Sequence, residues 1–292
     1  MLMPALSQLT LLFVGAHPDD ETFGTGGTLA KYAARGAKVV YACATRGEVG
    51  TMDADCLDGF DTPGDRRWSE LKCAAGILGL ADVVYLGYRD SGMPGSPDNH
   101  HPLALAAAPI EEVTGRVVKV IRDLRPQVVI TFDPIGGYRH PDHIAIHNAT
   151  VRAFSAAGDP QQYPECGPAF AAQKLYFHTF PKTLFKMAIK VLPLFGQDPT
   201  HFGRNKDIDF ASLAEVEFPV HAFIRIDARA ADAKQRASAC HSSQLGGGPP
   251  ANGLLGLVFR AVQNQEMFMR AYPPVTPGQR VHERDLFEGV QN

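Results

Sequence analysis

The chain has none of the long apolar runs, basic clusters or paired cysteine motifs that would assign it at once to a membrane, a nucleic acid or a disulfide framework. No stretch reaches the about twenty apolar residues of a membrane-spanning helix. The nearest, Thr183 to Phe195, is interrupted by Lys186 and Lys190 and reads as an amphipathic segment suited to core packing or to a partner surface, such as that of a homo-oligomer. Basic residues are not in excess: 28 Lys and Arg stand against 31 Asp and Glu, a formal net charge of −3. No nucleic-acid partner is therefore expected. The five cysteines, Cys43, Cys56, Cys73, Cys166 and Cys240, are odd in number, widely spaced and without a C-x-x-C. A disulfide framework and a thiolate zinc site are not expected, and the compartment reads as a reducing cytoplasm. Met1 to Thr10 holds no basic segment, and the apolar run Leu11 to Ala16 is too short for a secretory signal. Internal repeats and low-complexity blocks are absent as well.

What is there is 292 residues, 45% of them hydrophobic, enough for a sizeable core. Leu11-Leu12-Phe13-Val14 is an unbroken apolar run of the buried-strand type, and Thr22 to Arg35 after it has helical spacing. Lys38 to Ala44 reads as a second strand, Asp65 to Leu80 as a helix and Val83 to Leu86 as a third strand. Ile110 to Leu124 is a helix ended by Pro126, Gln127 to Phe132 a fourth strand, and Ile144 to Ala157 a further helix. This alternation predicts an α/β fold, a Rossmann-like and mostly parallel sheet flanked by helices. A single domain is expected over 1–292, with the motif-bearing core at 10–157, a specificity or lid part at 158–272 and a surface tail at 273–292. In the less regular second half, Leu175 to Thr179 and Ala222 to Ile226 read as strands. Ala230 to Ser243 and Leu254 to Tyr272 read as helices, and loop-rich Pro193 to Pro219 suits a lid or a partner surface.

The polar residues cluster just after the strands, where open α/β sheets bind ligands. His17-Pro18-Asp19-Asp20-Glu21 follows the first strand and puts one imidazole and three carboxylates into a single turn. Such a cluster is costly unless a cation neutralises it. His17 and Asp20, three apart, can reach one ion while Asp19 points elsewhere. Arg46 and Glu48 follow the second strand, Asp90 the third, and Tyr138-Arg139-His140-Pro141-Asp142-His143 the fourth. Two imidazoles and a carboxylate make a catalytic zinc pattern, with three protein ligands and an open position; magnesium and calcium prefer oxygen-rich sites. His147, one turn after His143, reads as structural more readily than as a ligand, and His241 reads either way. Gly24-x-Gly26-Gly27 lacks a full G-x-G-x-x-G, and the acidic turn before it occupies the place a pyrophosphate would need, so nucleotide binding is only a rival reading.

The motifs A-H-P-D-D-E at Ala16 to Glu21 and G-G-Y-x-H-P-D-H at Gly136 to His143 resemble those of the LmbE/PIG-L family of zinc-dependent N-acetylglucosaminyl deacetylases. Thr45-Arg46-Gly47-Glu48, Arg67-x-x-Glu70-Leu71, Leu86 to Met93 and His241-Ser242-Ser243-Gln244 resemble supporting elements of that family, nearest to its mycothiol- and bacillithiol-pathway branch. The resemblance implies His17, Asp20 and His143 as zinc ligands and Asp19 as general base. It implies His140 as oxyanion stabiliser or proton donor to the leaving amine, and Tyr138 as a mobile oxyanion donor. Arg67 and Asp90 would bind sugar hydroxyls. Iron(II) can occupy the same ligands. Arg139 departs from the family pattern and bears on access to the site.

The chemistry is coherent without the family name. Zinc can lower the pKa of a bound water from 15.7 to about 7 and polarise an amide carbonyl. Asp19 adjoins a ligand yet is free to take a proton, and the oxyanion of the tetrahedral intermediate needs donors, for which Tyr138 and a protonated His140 are candidates. Asp142 reads equally as a partner fixing a histidine ring or as the cap of the helix near Ile144. Arg46 and Arg67 can anchor a sugar or pair with Glu48 or Glu70. The expected function is zinc-dependent removal of acetyl from the amide nitrogen of a small N-acetylglucosamine-type sugar or glycoside. The alternatives are a broader zinc amidase on thiol-conjugate or other N-acyl amines, and a nucleotide-binding Rossmann module.

Overall fold

A computed structural model describes residues 6–179, 182–201, 209–244, 264–276 and 278–291. Five strands, β1 (Thr10–Gly15), β2 (Lys38–Cys43), β3 (Asp82–Tyr85), β4 (Val128–Phe132) and β5 (Lys174–His178), lie parallel in the order β3-β2-β1-β4-β5. Two later strands extend the sheet: β7 (Gln265–Tyr272) runs antiparallel to β5, and β6 (Ala222–Arg225) antiparallel to β7. Every residue of β1, β4 and β5 is buried, as their apolar runs require when both faces are covered.

Alternate residues of β1 serve the two faces. Leu12 and Val14 pack with α4 (Ile110–Leu124) and α6 (Pro141–Ala156). Leu11 and Phe13 pack with α2 (Gly26–Ala34), α3 (Pro63–Leu78) and α9 (Ala228–Cys240). Four short helices complete the described part: α1 (Asp20–Phe23), α5 (Gly136–Arg139), α7 (Lys182–Val191) and α8 (Phe210–Leu213). From β1 the chain winds outward to β2 and β3, then crosses back to β4 and β5. The reversal leaves a crevice at the carboxyl ends of β1 and β4, the switch point at which such sheets bind ligands.

The expected parallel sheet and its strands are present, but the second half differs from the sequence reading in three places. Gln265 to Tyr272 is a strand, not the end of a helix; 254–263 lies outside the described residues. Pairing on both sides, with Glu266 and Phe268 buried, outweighs local helical spacing there. The tail is not confined to the surface, since Leu286, Phe287 and Val290 are in the core. Its charge misleads because Glu283 is buried against Lys174 Nζ and Arg270 Nη1, each at 2.8 Å, and accepts from Tyr176 Oη at 2.6 Å. Lastly, Cys73 on α3 is joined to Cys240 at the end of α9 in a disulfide, contrary to expectation. The two helices pack side by side and bring the Cα atoms to 6.0 Å across 167 residues of sequence, a separation that hides the pairing. Cys43, Cys56 and Cys166 are free. In Pro193 to Pro219 a 3-10 turn and α8 are described, while 202–208 lies outside the described residues. Among the described residues no helix is long and apolar enough to cross a membrane.

His178 at the end of β5 packs against the turn that follows α1. A Cβ on Gly24 would lie 2.3 Å from its Cε1, so the turn after α1 closes onto the ring only because residue 24 is glycine. Burial pushes the His178 pKa from 6.5 down to about 4, with Glu266 acting against that effect and Lys234 with it. The unfolded chain therefore takes up a proton here before the folded one does. Stability from this group is full above pH 6.5 and is lost as pH falls toward 4, by at most about 3 kcal/mol. Melting temperature measured across that range should fall less steeply in His178→Gln than in the unchanged protein; parallel curves would contradict the assignment.

Candidate metal centre and active site

The turn after β1 is closed by Asp20, whose Oδ2 accepts the backbone N–H groups of Ala16 (2.9 Å) and His17 (2.7 Å). This leaves Oδ1 facing His143 Nε2 at 3.4 Å. Asp19, just before, has φ 117°, a conformation that costs a non-glycine residue about 1–3 kcal/mol unless its surroundings impose it. On the other side of the crevice, Asp133 at the end of β4 accepts N–H bonds from Ile135 (3.1 Å) and Gly137 (2.9 Å) and shapes the loop that carries Tyr138. A Cβ on Gly136 would stand 2.7 Å from that of His143, so the first glycine of the pair lets this loop lie on the histidine. His140 caps α6, its Nδ1 accepting the N–H of Asp142 at 3.2 Å.

Hydrogen bonds from behind set the tautomers. His143 Nδ1 faces the carbonyl of Gly136 at 3.2 Å, so it carries the proton and Nε2 carries the lone pair. His17 Nε2 faces Asp142 Oδ2 at 3.1 Å, so a neutral ring keeps its proton there and offers Nδ1 to a metal. His143 Nε2 and His17 Nδ1 are 3.2 Å apart, and the Asp20 carboxylate is 3.4 Å from one and 3.9 Å from the other. The three donor atoms converge in a buried space that favours a cation between them, either a metal ion or a proton shared by the two rings, since the surrounding carboxylates favour a charged His17. Two nitrogens and one oxygen suit zinc or iron(II). His17, His140 and His143 offer ring nitrogens within 4.8 Å of one another, and His17, Asp90, His140 and Asp142 offer ring nitrogens and carboxylate oxygens within the same span; Asp20 belongs to neither of these two groups. In the second group, however, His17 presents the nitrogen already bonded to Asp142.

The charges are arranged to match. Burial opposes charge on His17, but Asp90, Asp142 and Asp20 together push its pKa well up. Burial and the neighbouring His17 push His140 and His143 well down. A neutral His140 whose Nδ1 accepts a backbone N–H keeps its proton on Nε2. As a neutral ring it can donate through Nε2, and burial and the neighbouring charge of His17 disfavour the protonated form. Burial raises Asp19 to about 6 against the opposing charge of Arg67. Burial works against charge on Asp90 as well, yet His17 and Arg67 hold it far below the usual carboxylate range.

The structure brings His17, Asp19, Asp20, Asp90, Asp142, His140, His143 and Tyr138 together. The Tyr138 ring stands edge-on to His140 and His143, with centroids at 5.9 and 5.0 Å. Arg67 is in the same wall but pairs with neither Glu48 nor Glu70. Its Nη2 donates to Asp19 Oδ2 (3.0 Å) and to the Pro18 carbonyl (2.8 Å), and its Nη1 to the Gly47 carbonyl (3.0 Å). Asp90, expected at a sugar hydroxyl, is 3% exposed; it accepts the N–H of Gly92 and faces His17. Arg46 is not brought to the cluster: it pairs with Asp65 (3.2 Å) and lies over the rings of Trp68 and Tyr85. Asp142 resolves toward holding His17, because His140 is the helix cap; Ser91 N–H and Oγ both donate to Asp142. Arg139 is exposed with φ 69°, and His147 is turned to the Phe132 carbonyl, outside the donor groups. Gly26 and Gly27 open α2, whose Gly27 and Thr28 N–H groups are taken by the Glu266 carboxylate. A phosphate has no place there, and the nucleotide-binding reading falls. The sequence reading missed the Ser91 contact. It also left His241 open, although the H-x-S-Q element marked it: His241 Nε2 is 2.6 Å from Glu21 Oε1, both fully buried.

Comparison with known proteins places these residues in context. Residues 12–154 match the family model described as PIG-L: GlcNAc-PI de-N-acetylase. Two curated relatives are each described as a 1D-myo-inositol 2-acetamido-2-deoxy-alpha-D-glucopyranoside deacetylase. The one from Geodermatophilus obscurus is 37% identical over 96% of this chain and 97% of its own. The one from Streptomyces avermitilis is 37% identical over 99% of each. Among solved structures, the N,N'-diacetylchitobiose deacetylase of Pyrococcus horikoshii shares the fold, with TM-score 0.60 and 19% identity over 92% of this chain and 87% of that one.

Since Asp142 fixes the His17 tautomer, its removal should weaken metal binding about 10- to 100-fold. Competition of Asp142→Ala with a chromophoric chelator measures this directly; an affinity equal to that of the unchanged protein would show that Asp142 acts only in packing.

Proposed function

Because the chain belongs to the PIG-L GlcNAc-PI de-N-acetylase family, we propose that it hydrolyses the acetamide of a small N-acetylglucosaminyl glycoside, the inositol glycoside named for its relatives being the leading candidate. The observation that carries this reading is the convergence of three donor atoms, His17 Nδ1, His143 Nε2 and an Asp20 carboxylate oxygen, beside a carboxylate held out of that set. We assign His17, Asp20 and His143 as ligands of zinc, a set that iron(II) also fits. When bound, the metal supplies a Lewis acid for the carbonyl oxygen and acidifies water.

The chain's own residues do the rest. Asp19, ionised at neutral pH yet raised to about 6, accepts the proton of the attacking water; a base near the working pH is the most effective one. Arg67 keeps the Asp19 carboxylate in place. His140 Nε2–H donates to the oxyanion or passes its proton to the departing amine, and Tyr138 Oη is a second donor from the glycine-hinged loop. Arg67 and Asp90 remain the proposed contacts for sugar hydroxyls, offered in fixed orientation by the bonds they already make inside the wall. Arg46 leaves that list. For the compartment we propose the cytoplasm; three of the five cysteines are free, while the Cys73–Cys240 disulfide runs against the reducing compartment expected from the cysteine spacing.

Amine release from N-acetylglucosaminyl inositol and from simpler N-acetylglucosamine glycosides tests this reading, with the metal-loaded protein compared with Asp19→Asn. The variant should lose about 10²- to 10⁴-fold in kcat while keeping about one metal per chain. Equal activity in the two would remove Asp19 from the mechanism. No amine from any of these sugars, with metal bound, would contradict the deacetylase assignment.

A further inference from the structure

Asp19 is held from two sides, and only one of them is explained by the mechanism above. Arg67 fixes its carboxylate. Its backbone N–H is bonded to Glu21 Oε2 at 2.9 Å, and the other oxygen of Glu21 is bonded to His241 Nε2 at 2.6 Å. Glu21 and His241 are both fully buried. They come from opposite ends of the chain, 220 residues apart. His241 enters from the end of α9, on a segment fastened to α3 by Ser243, which donates to Glu70 through N–H (3.0 Å) and Oγ (2.7 Å), and by the Cys73–Cys240 disulfide. The helix α3 is also the one that supplies Arg67.

A φ of 117° at an aspartate persists only where its neighbours over-determine it. In a relaxed turn the 18–19 peptide would rotate and carry the Asp19 carboxylate away from His17 and the metal donors. A buried carboxylate, in turn, keeps its place only with a partner that satisfies it. From this geometry we infer that His241 is a positioning residue for the general base, acting through Glu21 to lock the Asp19 peptide. The inference rests on the reading of Asp19 as base.

The variants His241→Leu and His241→Gln separate this role from mere packing. Misplacing a catalytic group by about 1 Å can cost 10²-fold, so His241→Leu should lower kcat by about that factor. KM and metal content should stay unchanged, because neither the proposed ligands nor the hydroxyl contacts touch His241. His241→Gln keeps a donor for Glu21 Oε1 and should recover most of kcat. Should His241→Leu fail to fold with Glu21 left buried and charged, the double variant Glu21→Gln/His241→Leu removes charge and pair together and should show the same loss of kcat. A readout independent of turnover is the imidazole N–H proton resonance of His241, expected far downfield and protected from exchange. It should disappear in Glu21→Gln.

Unchanged kcat in a folded His241→Leu would overturn the inference. So would a loss matched by loss of metal, a rise in KM of the same size, or absence of the downfield resonance. An unchanged protein that releases no amine would instead overturn the reading of Asp19 on which the inference rests, a result distinct from an active protein indifferent to His241.

Discussion

The site depends on three donor atoms held close around one point. His17 Nδ1, His143 Nε2 and the Asp20 carboxylate converge across distances of 3.2 to 3.9 Å in a buried space that favours a positive charge among them. None can turn away. Asp142 takes the far nitrogen of His17, the Gly136 carbonyl takes that of His143, and two backbone N–H groups hold Asp20. Three independent restraints thus hold the donor atoms at ligand spacing. Rigid placement of this kind is what lets a site bind metal and act on it without reorganising.

The fold supplies the crossing point for those restraints. β1 and β4 are neighbours only because the chain reverses its winding between them, and their carboxyl ends bring His17 and His143 together across 126 residues of sequence. Around this pair the second half of the chain acts as a brace. His178 fills the space that Gly24 leaves, Glu266 caps α2, and His241 reaches Glu21. The region that reads as irregular in the sequence therefore braces the turn after β1.

Much of the first half was legible because its signals are local. The apolar runs at Leu11 to Val14 and Gln127 to Phe132 read as covered strands, and two histidine–carboxylate motifs directly after strands restrict where a metal could sit. The membership that those motifs implied agrees with the relatives found. What escaped the sequence is long-range. Cys73 and Cys240 are separated by 167 residues, and nothing in their spacing marks α3 and α9 as neighbours. Gln265 to Tyr272 has helix-like spacing, but its two strand partners decide its state. The charged tail read as surface because the interior partners of Glu283, on β5 and β7, are distant in sequence. Arg46 and Arg67 look alike in the sequence; only packing shows one stacked on Trp68 and Tyr85 and the other locked onto Asp19.

The central claim is that one metal ion is held by His17, Asp20 and His143, with Asp19 beside it and outside the ligand set. The most direct measurement is anomalous diffraction from crystals of the zinc-loaded protein, recorded on both sides of the zinc edge. A single strong peak is expected, bounded by His17 Nδ1, His143 Nε2 and a carboxylate oxygen of Asp20. A peak on His140 and Asp90 instead, or a coordinating oxygen from Asp19, would contradict it.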